Sequence, residues 1–130
     1  MARSRKTVIE KRLTDVELEL MGLLWRLGEG TVADVQAALP ESRPLAYTSV
    51  STMLRILESK GVVTTRKQGR GHVYVPAVQK SEYEAHAVKD VVDRVFDGMP
   101  LALVRQLLEN VPLSDEDVTE LRSLIARKRK

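Results

Sequence analysis

No cysteine occurs among the 130 residues, so disulfides, thiolate metal sites and cysteine nucleophiles are excluded, and a reducing compartment is allowed. No run of about 18 apolar residues occurs either, and the basic start Met1–Lys6 is not followed by an apolar stretch of signal-peptide length. A soluble, cytoplasmic protein without membrane insertion is expected. A phosphate-cradling glycine loop, a set of residues at metal-ligand spacing and a nucleophile with a partnered base are all missing. His72 and His86 are lone histidines that suit surface or packing roles. Neither catalysis nor a bound cofactor is expected.

One absence is local. From Ser59 to Ser81 there is no carboxylate, while Lys60, Arg66, Lys67, Arg70 and Lys80 all fall in that window. The formal net charge is only +3, a poor argument for a polyanionic partner, but charge comes in blocks and its distribution is informative. The first twelve residues are also basic, with Arg3, Arg5, Lys6, Lys11 and Arg12 against Glu10. Acids outnumber cations in residues 13–60 and again in 81–112.

The chain is long enough for a small domain with an appendage. Thr14 and Glu17 have capping-box spacing and open a first helix with an apolar stripe through Val16, Leu20, Met21, Leu23, Leu24 and Leu27, closed by Gly28 and Gly30. A short second helix from Thr31 stops at Pro40. The third, in LAYTSVSTMLRILESKG, is closed by Gly61, where a left-handed backbone is favoured. Two strands, VVTTRKQ and HVYVPAV, follow and are joined by GRG. A three-residue loop places Val63, Thr65, Val73 and Val75 on one face and Arg66, Gln68, His72 and Tyr74 on the other. From Ser81 onward the pattern is helical only, with a helix opened by Ser81 and Glu84 at capping-box spacing, a second begun by Pro100 and a last one from Ser114. These patterns divide the chain into residues 1–80, three helices and a hairpin behind a basic N-terminal arm, expected to form a DNA-binding domain for the reasons that follow, and 81–130, a helical region expected to serve dimerisation.

The third helix has two faces. At about 100° per residue, Ala46, Val50, Met53, Leu54 and Leu57 share one side, and Thr48, Ser51, Thr52, Arg55 and Ser59 the opposite one. The second side is short, polar and free of acid, as the donors and acceptors of the B-form major groove require. Three helices followed by a glycine-tipped cationic hairpin is the order of a winged helix-turn-helix. In it Arg66, Lys67, Arg70 and His72 of the wing reach phosphates, Arg3, Arg5 and Lys6 of the arm add to them, and Tyr47 touches a phosphate or lines the groove edge. Taken singly, a cationic strand pair is also a common way to protect a sheet edge, and a Ser/Thr face is common on exposed helices. Their combination in this order favours DNA over a winged-helix module that binds only protein, and over a regulator that answers to a small molecule. Trp25 reads as a core or interdomain anchor.

Apolar stripes through Val88, Val91, Val92 and Val95, and through Leu103, Val104, Leu107 and Leu108, are too wide to be covered within so small a unit. The simplest cover is a second copy, with Val118, Leu121, Leu124 and Ile125 joining a shared core. A homodimer then faces a near-palindromic site in double-stranded DNA.

Finally, LTDVELELMGLLWRLGEGTVADVQAAL, AYTSVSTMLRILESKGVV, VYVPAV and the terminal LRSLIARK resemble the penicillinase-repressor family, which includes methicillin-resistance and copper-responsive repressors. The resemblance extends over about Leu13 to Leu124. It implies a dimeric winged-helix repressor of transcription on an operator dyad, connected with antibiotic resistance, whose recognition motif falls on Thr48, Ser49, Ser51, Thr52 and Arg55. In antibiotic-responsive members it implies a membrane-bound sensor system that triggers cleavage between an Asn and a Phe, and the pair aligned here is Gln106–Leu107. The cysteine motif of copper-responsive members has no counterpart in this chain.

Overall fold

A computed structural model describes residues 13–128. Helix α1 spans Asp15–Leu27, α2 Val32–Ala38 and α3 Tyr47–Ser59. Strands β1, Val63–Gln68, and β2, Gly71–Pro76, form an antiparallel hairpin, and α4 (Lys80–Val95), α5 (Pro100–Asn110) and α6 (Asp115–Lys128) complete the chain. The first two helices open with reciprocal caps, which satisfy amides that have no partner inside the helix. Thr14 N–H donates to Glu17 Oε1 at 2.9 Å while Glu17 N–H donates to Thr14 Oγ1 at 3.2 Å, and Thr31 and Asp34 exchange the same bonds at 3.0 and 3.1 Å. Gly28 and Gly61 end α1 and α3 with positive φ of 87° and 82°, which glycine adopts without strain.

Leu20, Met21 and Leu24 of α1, Val35 of α2 and Val50, Leu54 and Leu57 of α3 are fully buried together. Val62, Val63, Tyr74 and Val78 close this core from the hairpin side. Each such Leu contributes about 1.5–3 kcal/mol by leaving water, enough to fix which side of α3 faces inward. Glu17 is the buried charged residue of this region, and it accepts from Lys60 Nζ at 2.5 Å, tying the start of α1 to the end of α3. Burial by itself raises the Glu17 pKa, but hydrogen bonds from Lys60 and Thr14 and the Lys60 charge outweigh it and hold the carboxyl below its ordinary value.

The hairpin differs from the sequence reading by one position. Gln68 pairs with Gly71 and Thr65 with Tyr74, so the turn has two residues, Gly69 and Arg70, and not three. Gly69 takes φ 60° and Arg70 an ordinary negative φ, the pattern of a II′ turn, whose twist suits the flanking strands. A shift of one residue exchanges faces. Val63, Thr65 and Lys67 now share a face with His72 and Tyr74, while Arg66 lies opposite Val73. The sequence also gave no warning that Gly30 and Tyr74 form an isolated antiparallel bridge, exchanging bonds of 3.0 and 2.8 Å. The close approach suits glycine at position 30, where a Cβ would meet the Asp34 Cβ at 3.2 Å.

Packing separates two compact units, one ending at Ala87 and the other starting at Val88. The first extends past Ser81 because Tyr83 of α4 lies against Trp25, with ring centroids 5.8 Å apart, while Trp25 Nε1 donates to Val78 O at 2.9 Å. Helix α4 also starts earlier than the Ser81–Glu84 pair indicated. It starts at Lys80, where Gln79 N–H donates to Glu82 Oε1 at 3.1 Å. In the second unit a left-handed turn at Asp97 and Gly98 precedes Pro100 at the start of α5, and Ser114 and Asp117 cap α6 reciprocally. No residue of α4, α5 or α6 is buried.

Candidate nucleic-acid interface

Because Val50, Leu54 and Leu57 point into the core, helical periodicity turns the other side of α3 to solvent. Tyr47, Thr48, Ser49, Thr52, Arg55 and Ser59 are exposed and Ser51 is half-buried. The first turn of α3 contains no acid, so the positive end of the helix dipole is not offset by a carboxylate of its own. The one carboxylate on α3, Glu58, accepts from Thr65 Oγ1 of β1 at 2.9 Å. That bond attaches the hairpin to the helix.

Between α3, the start of α2 and β2 lies a cleft of about 210 Å³, lined by Thr31, Tyr47, Ser51, Arg55, His72 and Tyr74 among others. Its hydroxyls, guanidinium and imidazole match the acceptors of a DNA backbone or base edge. The revised register is what puts Tyr74 here instead of on the outer face. Burial pushes the Tyr74 hydroxyl pKa up, with Glu58 adding to the effect and the nearby Arg55 guanidinium opposing it.

The wing cations are not equivalent. Arg66 is engaged by Glu29, Nη2 to Oε2 at 2.6 Å, and also donates to Gln68 Oε1 at 3.3 Å. Arg70 at the turn and Lys67 beside it are exposed and have no carboxylate partner among the described residues. Arg3, Arg5 and Lys6 lie outside the described residues.

A model of the family described as penicillinase repressor matches residues 13–127. The chain belongs to the penicillinase repressor family. It is 29% identical over 114 residues to the penicillinase repressor of Bacillus licheniformis, covering 88% of this chain and 89% of that protein. With the transcriptional regulator BlaI of Mycobacterium tuberculosis it shares 34% identity over 108 residues, or 82% of this chain and 78% of that one. The solution structure of the DNA-binding domain of the repressor BlaI superposes with a TM-score of 0.50 at 30% identity, over 55% of this chain and 88% of that one. The order of three helices and an antiparallel hairpin is that of a winged helix-turn-helix.

In the second unit the apolar residues expected to meet a second copy are far from covered. Val88 is 54% exposed, Val95 62% and Ile125 53%. Val104, Leu107 and Leu108 are also exposed, while Val91, Val92, Leu103, Val118 and Leu121 are half-buried. Val104, Leu107, Leu108, Leu113, Leu121 and Leu124 line a groove of about 350 Å³ between α5 and α6. Gln106 and Leu107 sit in the body of α5, where Asn110 Nδ2 donates to Gln106 O and Oε1, both at 2.9 Å.

Sequence reasoning missed Thr31 and Tyr74 as cleft residues and Glu29 as the partner of Arg66. Thr31 was read only as the start of the second helix. The Glu29–Arg66 pair spans 37 positions, and no local pattern announces it.

Proposed function

We propose that this chain is a DNA-binding transcriptional repressor that occupies a near-palindromic operator as a homodimer in the cytoplasm. The observation that carries the reading is the solvent-facing, hydroxyl-rich side of α3 next to a hairpin whose tip is cationic. Thr48, Ser51, Thr52 and Arg55 enter the major groove, with Tyr47 and Ser49 at its flanks. Lys67, Arg70 and His72 hold phosphates on the wing side, Arg66 joins them when it leaves Glu29, and Arg3, Arg5 and Lys6 add sequence-independent contacts. Occupancy of the operator denies it to the transcription machinery.

Residues 81–130 act as the dimerisation region. Three helices without a buried residue gain a core when two copies bury Val88, Val95, Leu107, Leu124 and Ile125 against each other. Two linked modules bind far more tightly than one, so a signal that separates the copies releases the DNA. Cleavage at Gln106–Leu107 by a membrane-bound sensor system is one such signal. Since that bond lies within α5, it requires local unwinding before a protease can hold the backbone in extended form.

In-vitro selection of bound duplexes from a random pool tests the reading. An enriched inverted repeat with half-sites about one helical turn apart, roughly 34 Å, or a multiple of it, is expected. Failure to enrich any sequence at low salt, or a consensus without two-fold symmetry, contradicts it.

A further inference from the structure

Glu29 is placed with more care than a loop residue needs. It immediately precedes Gly30, whose backbone is bonded in both directions to Tyr74 at 3.0 and 2.8 Å. From that fixed point its carboxylate reaches Arg66 Nη2 at 2.6 Å, with side-chain exposures of 47% and 49%. Arg66 shares a face of the hairpin with its cross-strand partner Val73, and the alternation of side chains along β1 keeps its guanidinium on that face. A carboxylate that accepts from an exposed guanidinium makes the same kind of charge-assisted contact that a phosphate oxygen makes.

We propose that Glu29 is an internal competitor for Arg66, standing where a DNA phosphate oxygen would stand and lowering the affinity of the wing for every DNA sequence. The inference rests on the DNA-binding reading above. Exposed pairs of this kind are weak, so DNA can displace Glu29, but the displaced carboxylate regains its own counter-cation and cancels part of the counterion release that Arg66 would bring. The wing therefore delivers the full charge of Lys67 and Arg70 and only part of that of Arg66. This restrains binding to random DNA, where backbone charge supplies nearly all the affinity.

The experiment measures binding of fluorescein-labelled random-sequence duplex by anisotropy, from 50 to 200 mM salt, for the wild type, Glu29→Gln, Arg66→Gln and the double variant. Glu29→Gln is expected to bind about three- to tenfold more tightly at the lowest salt and to steepen the slope of log affinity against log salt by up to about 0.9. Over that salt range the added slope shrinks the advantage by roughly three- to fourfold. Adding Glu29→Gln to Arg66→Gln is expected to give no gain. A gain that persists in the Arg66→Gln background means simple repulsion by Glu29 and overturns the proposal. So does weaker binding by Glu29→Gln, which would make the pair a strut that aims Arg66, and so does unchanged binding with an unchanged slope. If the wild type itself fails to bind duplex at the lowest salt, the DNA-binding reading falls and this inference with it.

Discussion

Replacing Lys60 with methionine tests the ion pair that joins α1 to α3. The stem and its packing are kept and only the ammonium is lost, leaving a carboxylate whose side chain is 4% exposed against 23% for Lys60. Breaking a fully buried pair costs about 3–5 kcal/mol. Here Thr14 N–H still donates to Glu17 and water reaches the Lys60 position, so a loss of about 2–3 kcal/mol is expected. For a domain of this size that lowers the melting temperature by roughly 10–20 °C. The pH dependence has a definite sign. The folded-state pKa of Glu17 is depressed from 4.5, so in the wild type its contribution is complete above that value and is lost as pH falls through the lower folded value. In Lys60→Met the opposing ammonium is gone, burial raises the carboxyl, and acidification neutralises the stranded charge. The deficit in thermal melts followed by circular dichroism should therefore be large at pH 7 and much smaller at pH 4. Adding Glu17→Gln should recover most of it, because an amide oxygen still accepts from Thr14. An equal deficit at both pH values, or one below about 1 kcal/mol at pH 7, would refute the reasoning.

Three further outcomes concern function. Arg70→Ala should weaken binding to all duplexes and flatten the salt slope by about 0.9, whereas Arg55→Ala should cost about 1–3 kcal/mol mainly on the selected sequence; equal losses on selected and random duplexes for Arg55→Ala would remove its base-reading role. Leu124→Asp, in the α5–α6 groove, should shift the protein from dimer to monomer in analytical ultracentrifugation while the melting transition of the first unit stays in place, and an unchanged sedimentation coefficient would count against the shared apolar core.

Where information was local, the sequence revealed it. Thr14 and Glu17 lie three positions apart, so the reciprocal bonds they make are fixed by helix geometry once the helix forms; Thr31 and Asp34 have the same spacing and make the same bonds, although the pair was not singled out from the sequence. The two faces of α3 were legible for a related reason, since Val50, Leu54 and Leu57 leave few other orientations for Thr48, Thr52 and Arg55. The hairpin was harder. Gly69 and Gly71 flank Arg70, and both a two-residue and a three-residue turn use a glycine there, so the tip did not decide the register. Packing did, by giving Tyr74 a buried place against α3 and a backbone partner in Gly30. Arg66 was read as a cation available to phosphate because its own neighbourhood is free of acid. Its partner comes from a loop two helices earlier, and proximity created by folding is invisible to a window sliding along the chain.

The Gly30–Tyr74 bridge also bears on how such a wing can change. With Tyr74 bonded to Gly30 of the body on one edge of β2 and paired with Thr65 of β1 on the other, alterations at Gly69 and Arg70 are mechanically remote from the core. Residues can be inserted or recharged at that tip, lengthening its reach along a groove, while the helices beneath keep their arrangement. The same freedom stops at position 74, where any slippage would have to break contacts on two sides at once.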